Sequence, residues 1–377
     1  MVGYFFICTF ANKLNNMKAN IVVGLLYGDE GKGITTDFLC SQAKNPIAIR
    51  YSGGQQAGHA VMLGDKKHIH SNFASGTLRG VPSYFTEHTV FYPTTIAREL
   101  KVLKDKGINP RLVIHPLAKM TTPFDVFENR FDTENLSNGS CGLGISKTMK
   151  RNETPFKLYA VDLLNPELLK QKVKNIAKLY KFFVTSDREQ MEITAELEDF
   201  YEAVNNIAWE IKDYAFLKEY DELIFEGSQG IMLDMDHGVF PNVTYANTTT
   251  KNAHDVLDKL GVTYRNVYYI TRCYATRHGS GPFPDVKMDL VNTEEEINVF
   301  NEFQKEFKTA PIDYKMLNQS LAYDSIYSNG KVKTKNLVVT CLDQIPNFEF
   351  DYDELNTTFS NIYESRSPKS ENFLKKV

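Results

Sequence analysis

The stretch IVVGLLYGDEGKGITTDFLC, residues 21–40, decides the fold. It begins as an apolar run, Ile21-Val22-Val23, and passes through a glycine-rich turn, Gly24 to Gly33. It then continues into a helix-like segment, Ile34 to Cys40. Strand, turn and helix start in this order form a cradle for phosphate. Backbone N–H groups point outward, and the helix dipole adds positive potential. Gly28, Gly31 and Gly33 admit phosphate oxygens without a Cβ in the way, and Lys32 supplies a point charge. The strict pattern G-x-x-x-x-G-K-[ST] is not met: its first glycine would fall on Leu26, and its hydroxyl residue is Gly33. Asp29 and Glu30 lie inside the turn, where they repel bare phosphate. That cost makes sense if one of them binds a metal or takes a proton; the plainer reading is an acidic surface turn.

Outward from this turn, further apolar runs predict strands at Pro46–Tyr51, Leu112–His115, Leu223–Phe225, Val267–Thr271 and Leu337–Thr340. Between them, Glu192 to Tyr214 sets Leu197, Tyr201, Val204, Ala208 and Ile211 on one helical face. Leu168 to Phe183 reads as a basic amphipathic helix whose lysines form a solvated face. The alternation predicts an α/β fold with a mostly parallel central sheet flanked by helices. Ligands in such sheets collect at the carboxyl ends of strands. Residues 129–160 and 285–320 are irregular and are expected to be loops or small excursions. Residues 1–16 have a short apolar centre but no basic start. They are expected to be a disordered extension, with residues 17–377 as a single domain.

Bulk properties narrow the function classes. Hydrophobic content of 42% and charged content of 24% suit an ordinary soluble enzyme. The net charge of −4 argues against a nucleic-acid partner held on a broad basic face. No apolar run approaches the roughly 20 residues of a membrane helix. The five cysteines are scattered, odd in number and without C-x-x-C, which suits reduced thiols in the cytoplasm.

Polar blocks follow the predicted strands. RYSGGQQAGHAV, residues 50–61, places His59 after a glycine, within reach of a ligand or packed at a turn. FEGSQGIMLDMDHGVFPNVTYANTTT, residues 225–250, carries Gln229 between glycines and a polar run, Asn247 to Thr250, suited to a base or phosphate. YATRHGSGPFP, residues 274–284, puts Arg277 in a Gly/Pro-rich turn, and VVTCLDQI, residues 338–345, sets Asp343 just past a strand.

GDEGKG, GG-x-x-AGH, EG-x-QG-x-x-LD-x-D-x-G-x-x-P-x-VT-x-x-NTT, TR-x-GSGPFP and LD, in this order, resemble the adenylosuccinate synthase family. The resemblance runs from about Ile21 to Pro284 and then thins. It implies a P-loop-NTPase-like fold and a Mg²⁺-dependent ligase. Such an enzyme joins L-aspartate to C6 of a purine nucleoside monophosphate, IMP, using GTP to phosphorylate O6 first. By the resemblance Asp29 is the general base at N1 and a Mg²⁺ ligand, beside the carbonyl of Gly58. His59 donates to the transferring phosphoryl group. Gly28, Glu30, Gly31, Lys32 and Gly33 belong to the nucleotide-binding turn. Gln229, Gln56, Ser140, Thr244 and Arg277 match positions at the nucleotides, with Gln229 also counted as catalytic. Asp343 matches the carboxylate that accepts from guanine N1–H and its 2-amino group. The family is homodimeric, and Lys150 or Arg151 is nearest to the residue that reaches a neighbour's monophosphate.

Three departures bear on the substrate. Gln55-Gln56 stand where the family carries Asn-Asn, and Cys341 replaces a lysine at the base-reading segment. The aspartate-binding T-T-G-R-x-R-R loop corresponds to NEFQKEFKTAPIDY, residues 301–314, which has no paired arginines to grip carboxylates bidentately; Lys305 or Lys308 are the substitutes at hand. A short loop of this kind also resembles the viral branch that joins aspartate to dGMP, with another purine triphosphate as donor. In that branch the catalytic aspartate is usually a small hydroxyl residue, whereas Asp29 is present here. A nucleotide-binding protein without catalysis is a third reading. An ordinary P-loop kinase is a fourth, which the missing Ser/Thr after Lys32 opposes.

Overall fold

The structure, a computed structural model, describes residues 17–132, 139–180, 186–284, 286–291 and 307–376. The expected extension at 1–16 and the candidate Lys305 lie outside these residues. At the centre is β1 (Lys18–Gly24), the strand entering the glycine-rich turn. It belongs to a ten-stranded sheet. On one side of it lie β11 (Tyr264–Arg272), β14 (Thr334–Thr340), β15 (Asn361–Ser365) and β16 (Phe373–Lys375). On the other lie β10 (Glu222–Gly230), β2 (Pro46–Arg50), β5 (Ser83–Phe85), β7 (Leu112–Ile114) and β9 (Glu210–Ile211). Neighbours are parallel throughout, except that β16 closes one edge antiparallel. The α/β expectation holds, and every predicted strand lies in this sheet.

Burial on both faces explains the apolar runs. Ile21 and Val23 face a core shared with Phe225, Val267, Leu337, Leu257 and Leu317. Val22 faces the other way, with Ile224, Ile270, Val338 and Leu39. Thus α1 (Lys32–Gln42) packs on one face, and α7 (Lys251–Leu260) and α8 (Tyr314–Ser328) on the other. Beyond the β5–β7 side a further core gathers Phe91, Ile96, Phe124, Phe127, Val173 and Phe200. It joins α2 (Pro93–Asp105), α3 (Pro123–Phe131), α5 (Pro166–Leu179) and α6 (Asp187–Asn206).

Some boundaries differ from expectation. The helix read at 192–214 starts earlier, because Ser186 and Glu189 form a capping box, and it ends at Asn206. Glu210–Ile211 then pair with β7, so the apolar periodicity had run through a helix end into an edge strand. The helix read from Leu168 starts at Pro166, capped by Asn165, and ends at Leu179. Within 129–160, expected as loops or small excursions, lies one such excursion, α4 (Ile145–Asn152), anchored where Arg151 pairs with Asp125 at 2.8 Å.

Among the described residues, three small ladders flank the sheet. β3 (His59–Leu63) and β4 (Lys66–His70) form a hairpin, β6 (Val90–Phe91) pairs with β8 (Lys119–Met120), and β12 (Tyr274–His278) pairs with β13 (Phe307–Pro311). No helix among the described residues is long and apolar enough to cross a membrane.

Candidate active site

At the carboxyl ends of β1, β10, β11 and β14 lies a cavity of about 640 Å³. It is lined by Gly28, Asp29, Gly31, Lys32, Gly33, Gln56, Gly58 and His59 from the first two motifs. Ser140, Gln229, Thr244, Arg277 and Asp343 complete it from the later ones. Among the catalytic, nucleotide and metal residues expected from the sequence, only Glu30 lies off its wall.

The reason is the internal chemistry of the turn. Glu30 is buried and accepts hydrogen bonds from the backbone N–H groups of Leu26 at 3.0 Å and Gly28 at 2.9 Å. Lys32 Nζ reaches it at 2.6 Å. The carboxylate therefore shapes the turn from inside, as a bound anion would. Asp29 takes the opposite course. Its backbone is left-handed, φ 62°, which costs a non-glycine residue about 1–3 kcal/mol and turns its side chain out of the turn's interior. The Arg272 guanidinium pins it by donating from Nε to its carbonyl. Burial raises the Asp29 carboxyl above the usual range, against the pull of His278, Arg272 and Lys32. Such a shift strengthens it as a base. α1 starts at Lys32 with Gly31 as its cap, so its first N–H groups meet the cavity without helical acceptors. A Cβ on Gly33 would stand 2.7 Å from the Cβ of His59, so glycine is what lets α1 lie against β3.

His59 is held by a buried partner. Its Nδ1 lies 2.7 Å from Glu226, which also accepts from the hydroxyl and the backbone N–H of Ser75. Burial alone would raise the Glu226 carboxyl, but His59, Arg50 and Ser75 hold it at about 2. Burial in turn lowers His59, with Glu226 opposing. With Nδ1 committed to Glu226, the ring keeps Nε2 for other work. Gln229 has φ 59° at the point where β10 breaks register against β1, between the pairs Val22↔Glu226 and Gly24↔Gly230. The bulge re-aims its side chain at the end of a strand. Both amide atoms of Gln56 are buried without a hydrogen-bond partner, which marks a place for a polar ligand.

The matching family model, described as adenylosuccinate synthetase, covers residues 21–319. The chain belongs to the adenylosuccinate synthetase family. It is 32% identical over 293 residues to the adenylosuccinate synthetase of Histophilus somni, covering 74% of this chain and 67% of that one. To that of Shewanella loihica it is 33% identical over 290 residues, covering 72% and 65%. The match thus spans about two-thirds of those relatives. In fold it resembles fully ligated adenylosuccinate synthetase from Plasmodium falciparum, with a TM-score of 0.65, 22% identity, and 87% and 77% of the two chains covered. It also resembles the succinoaminodeoxyadenylate synthetase of cyanophage S-2L bound to dGMP and dATP, with a TM-score of 0.66, 16% identity, and 95% of each chain covered. Membership brings a reaction class, GTP-dependent C–N ligation in purine nucleotide biosynthesis, and it is the one the motifs pointed to.

Several neighbours of the family motifs escaped the sequence reading. Glu226 stands inside the quoted FEGSQG, but its partner is 167 residues away, and no local pattern links them. Arg272, Tyr274, His278 and Thr340 also line the cavity. Thr340 ties the turn to β14 by donating to the carbonyl of Glu30 at 2.7 Å. Arg277 lines the cavity with its guanidinium already engaged by its own loop. It donates to the carbonyls of Ser280 and Pro282 and lies 4.3 Å over the Tyr27 ring, so it braces its own loop at the cavity wall. Of the two candidates to reach a neighbouring subunit, Arg151 is spent on Asp125, Phe156 and Met120, whereas Lys150 lines the cavity beside Tyr245. Lys308 pairs in register with Arg277 across the antiparallel β12–β13 ladder.

Proposed function

We propose that this chain joins L-aspartate to C6 of IMP, using GTP and Mg²⁺ through a 6-phosphoryl intermediate. The observation that carries the reading is the meeting of Asp29, His59 and Gln229 in one cavity with the phosphate-binding turn. Asp29 takes the N1 proton, so that O6 becomes nucleophilic enough to attack the γ-phosphorus and GDP leaves. His59 Nε2 donates to the phosphoryl group as charge gathers there; an incoming anion favours its protonated form, and Glu226 holds the resulting imidazolium. The aspartate amine then displaces phosphate from C6. Lys32 and the first N–H groups of α1 hold phosphate oxygens. Gln56, Ser140, Thr244 and Gln229 serve the monophosphate nucleotide, and Asp343 serves guanine.

The Asp29 carboxylate and the Gly58 carbonyl both line the cavity and are oxygen donors, the set that magnesium prefers. When bound there, Mg²⁺ would neutralise charge on the phosphoryl oxygens. A homodimer, in which a basic residue of one subunit serves the other's monophosphate, is the proposed assembly, with Lys150 or Arg151 nearest to that residue by the family resemblance, and the cytoplasm is the proposed compartment.

A second reading, ligation to dGMP, is favoured by one observation: the compact segment at 301–314 resembles the viral branch, whereas the missing paired arginines favour a nucleotide-binding protein without catalysis. The test is direct. The protein is incubated with Mg²⁺, aspartate, GTP, ATP or dATP, and either IMP or dGMP, and products are weighed by mass spectrometry. A succinylated product from IMP with GTP supports the first reading, and product from dGMP alone supports the second. No product from either substrate leaves a nucleotide-binding protein without this chemistry.

A further inference from the structure

Strand β4 carries HIH, residues 68–70, at the inner edge of the hairpin. Strand alternation turns His68 and His70 to the same buried side, while Ile69 faces solvent. Helix α2 brings Glu99 against both. Its Oε1 lies 3.2 Å from His68 Nε2 and 3.9 Å from His70 Nδ1. One ligand atom from each residue lies within 4.8 Å of the other two, and all three side chains are buried. Glu99 is well held, accepting from the backbone N–H of Asn72 at 2.6 Å and its Nδ2 at 2.9 Å. His70 is not. It is wholly buried, and neither ring nitrogen has a hydrogen-bond partner. A buried donor or acceptor left idle costs stability, and here the idle nitrogen faces a carboxylate just beyond hydrogen-bond reach.

We propose that His68, His70 and Glu99 form a binding site for a divalent transition metal of the zinc class, separate from the catalytic cavity. Two imidazoles and one carboxylate suit Zn²⁺, Co²⁺ or Ni²⁺, whereas Mg²⁺ takes oxygen ligands. Metal bonds of about 2.0–2.1 Å from the imidazole nitrogens need only a small inward movement of ligand atoms already this close. Coordination through His68 Nε2 moves that ring's proton to Nδ1, with none released. Lys106, now 3.2 Å from Nδ1, then keeps only the Lys67 carbonyl, which it already reaches at 2.6 Å. The metal would tie β4 to α2. Because His70 pairs with His59 across the hairpin, the same tie would stiffen the strand that carries His59.

The test uses the untagged full chain, stripped by a chelator and titrated with Co²⁺ by visible absorption and with Zn²⁺ by calorimetry. One metal per chain is expected, with a Zn²⁺-dependent rise in melting temperature. His70→Leu keeps the volume without the nitrogens and should abolish both signals. Lys106→Met removes the competing cation at the surface and should tighten binding several-fold, and His68→Gln should weaken it by roughly tenfold or more. Binding unchanged in His70→Leu overturns the proposal, as does a stripped chain that takes up no metal. So does loss confined to His88→Ala, which would place the ion at the more exposed trio Glu87, His88 and Asp255. Should His70→Leu fail to fold, unchanged affinity in both other variants overturns the proposal equally.

Discussion

Asp29 and Glu30 are adjacent carboxylates with opposite fates, and the division of labour in the turn follows from that. Glu30 faces inward and satisfies backbone donors; Asp29 faces the cavity with a raised carboxyl pKa. Asp29→Asn is expected to abolish turnover while nucleotide affinity, measured by calorimetry, stays within a few-fold. Retained turnover would remove it as the base. His59→Ala should slow phosphoryl transfer in single-turnover assays by roughly 10² or more, the scale for losing a charge-stabilising donor. Glu226→Gln leaves the imidazole in place without the charge that holds it. A fall in kcat of roughly tenfold or more with KM little changed is expected, and an unchanged kcat would make Glu226 a packing residue only. Residue types at Asp29, His59 and Gln229 were legible as motif letters. The Glu226 partnership was not, because it joins two motifs that only the folded chain brings together.

At the scale of elements, the junction of β1, β10 and the turn leaves no room for a side chain. A Cβ on Gly230 would land on the carbonyl oxygen of Leu26, and backbone cannot move away as a side chain can. Gly230→Ala should therefore cost more than about 4 kcal/mol in denaturant unfolding, or fail to fold, a size reserved for such collisions. A loss below about 1 kcal/mol would show that the turn relaxes. Strand positions were readable because burial on both faces demands unbroken apolar runs. Helix ends were less so: Ala208 and Ile211 continue an apolar pattern that strand pairing cuts short after Asn206, and the Ser186–Glu189 capping box starts the helix before the pattern does.

The molecule as a whole carries a pH signature away from its active site. His254 on α7 is buried, and Arg265 points at its Nδ1 from 3.2 Å. Burial, then that guanidinium, lowers it to about 4. The unfolded chain binds a proton near the ordinary value of about 6.5, so it holds more protons than the native state between those limits. Stability from this group is full above about 6.5 and is lost as pH falls toward 4, with a slope of up to about 1.4 kcal/mol per unit. Urea unfolding between these pH values should show a shallower acid loss in His254→Leu than in the parent, and identical slopes would exclude the residue. On this largest scale the sequence alone determined the parallel sheet, the glycine-rich turn at the end of its central strand and the family. Apolar periodicity and motif spacing are local properties of the chain, readable without knowing what lies across the fold. Tertiary structure alone decided which carboxylate turns inward, that Arg277 braces its loop, that Arg151 is consumed by Asp125, and that Glu226 steadies His59. Each of those outcomes depends on which charges and carbonyls distant segments bring within hydrogen-bond reach, a matter of packing that no stretch of sequence contains.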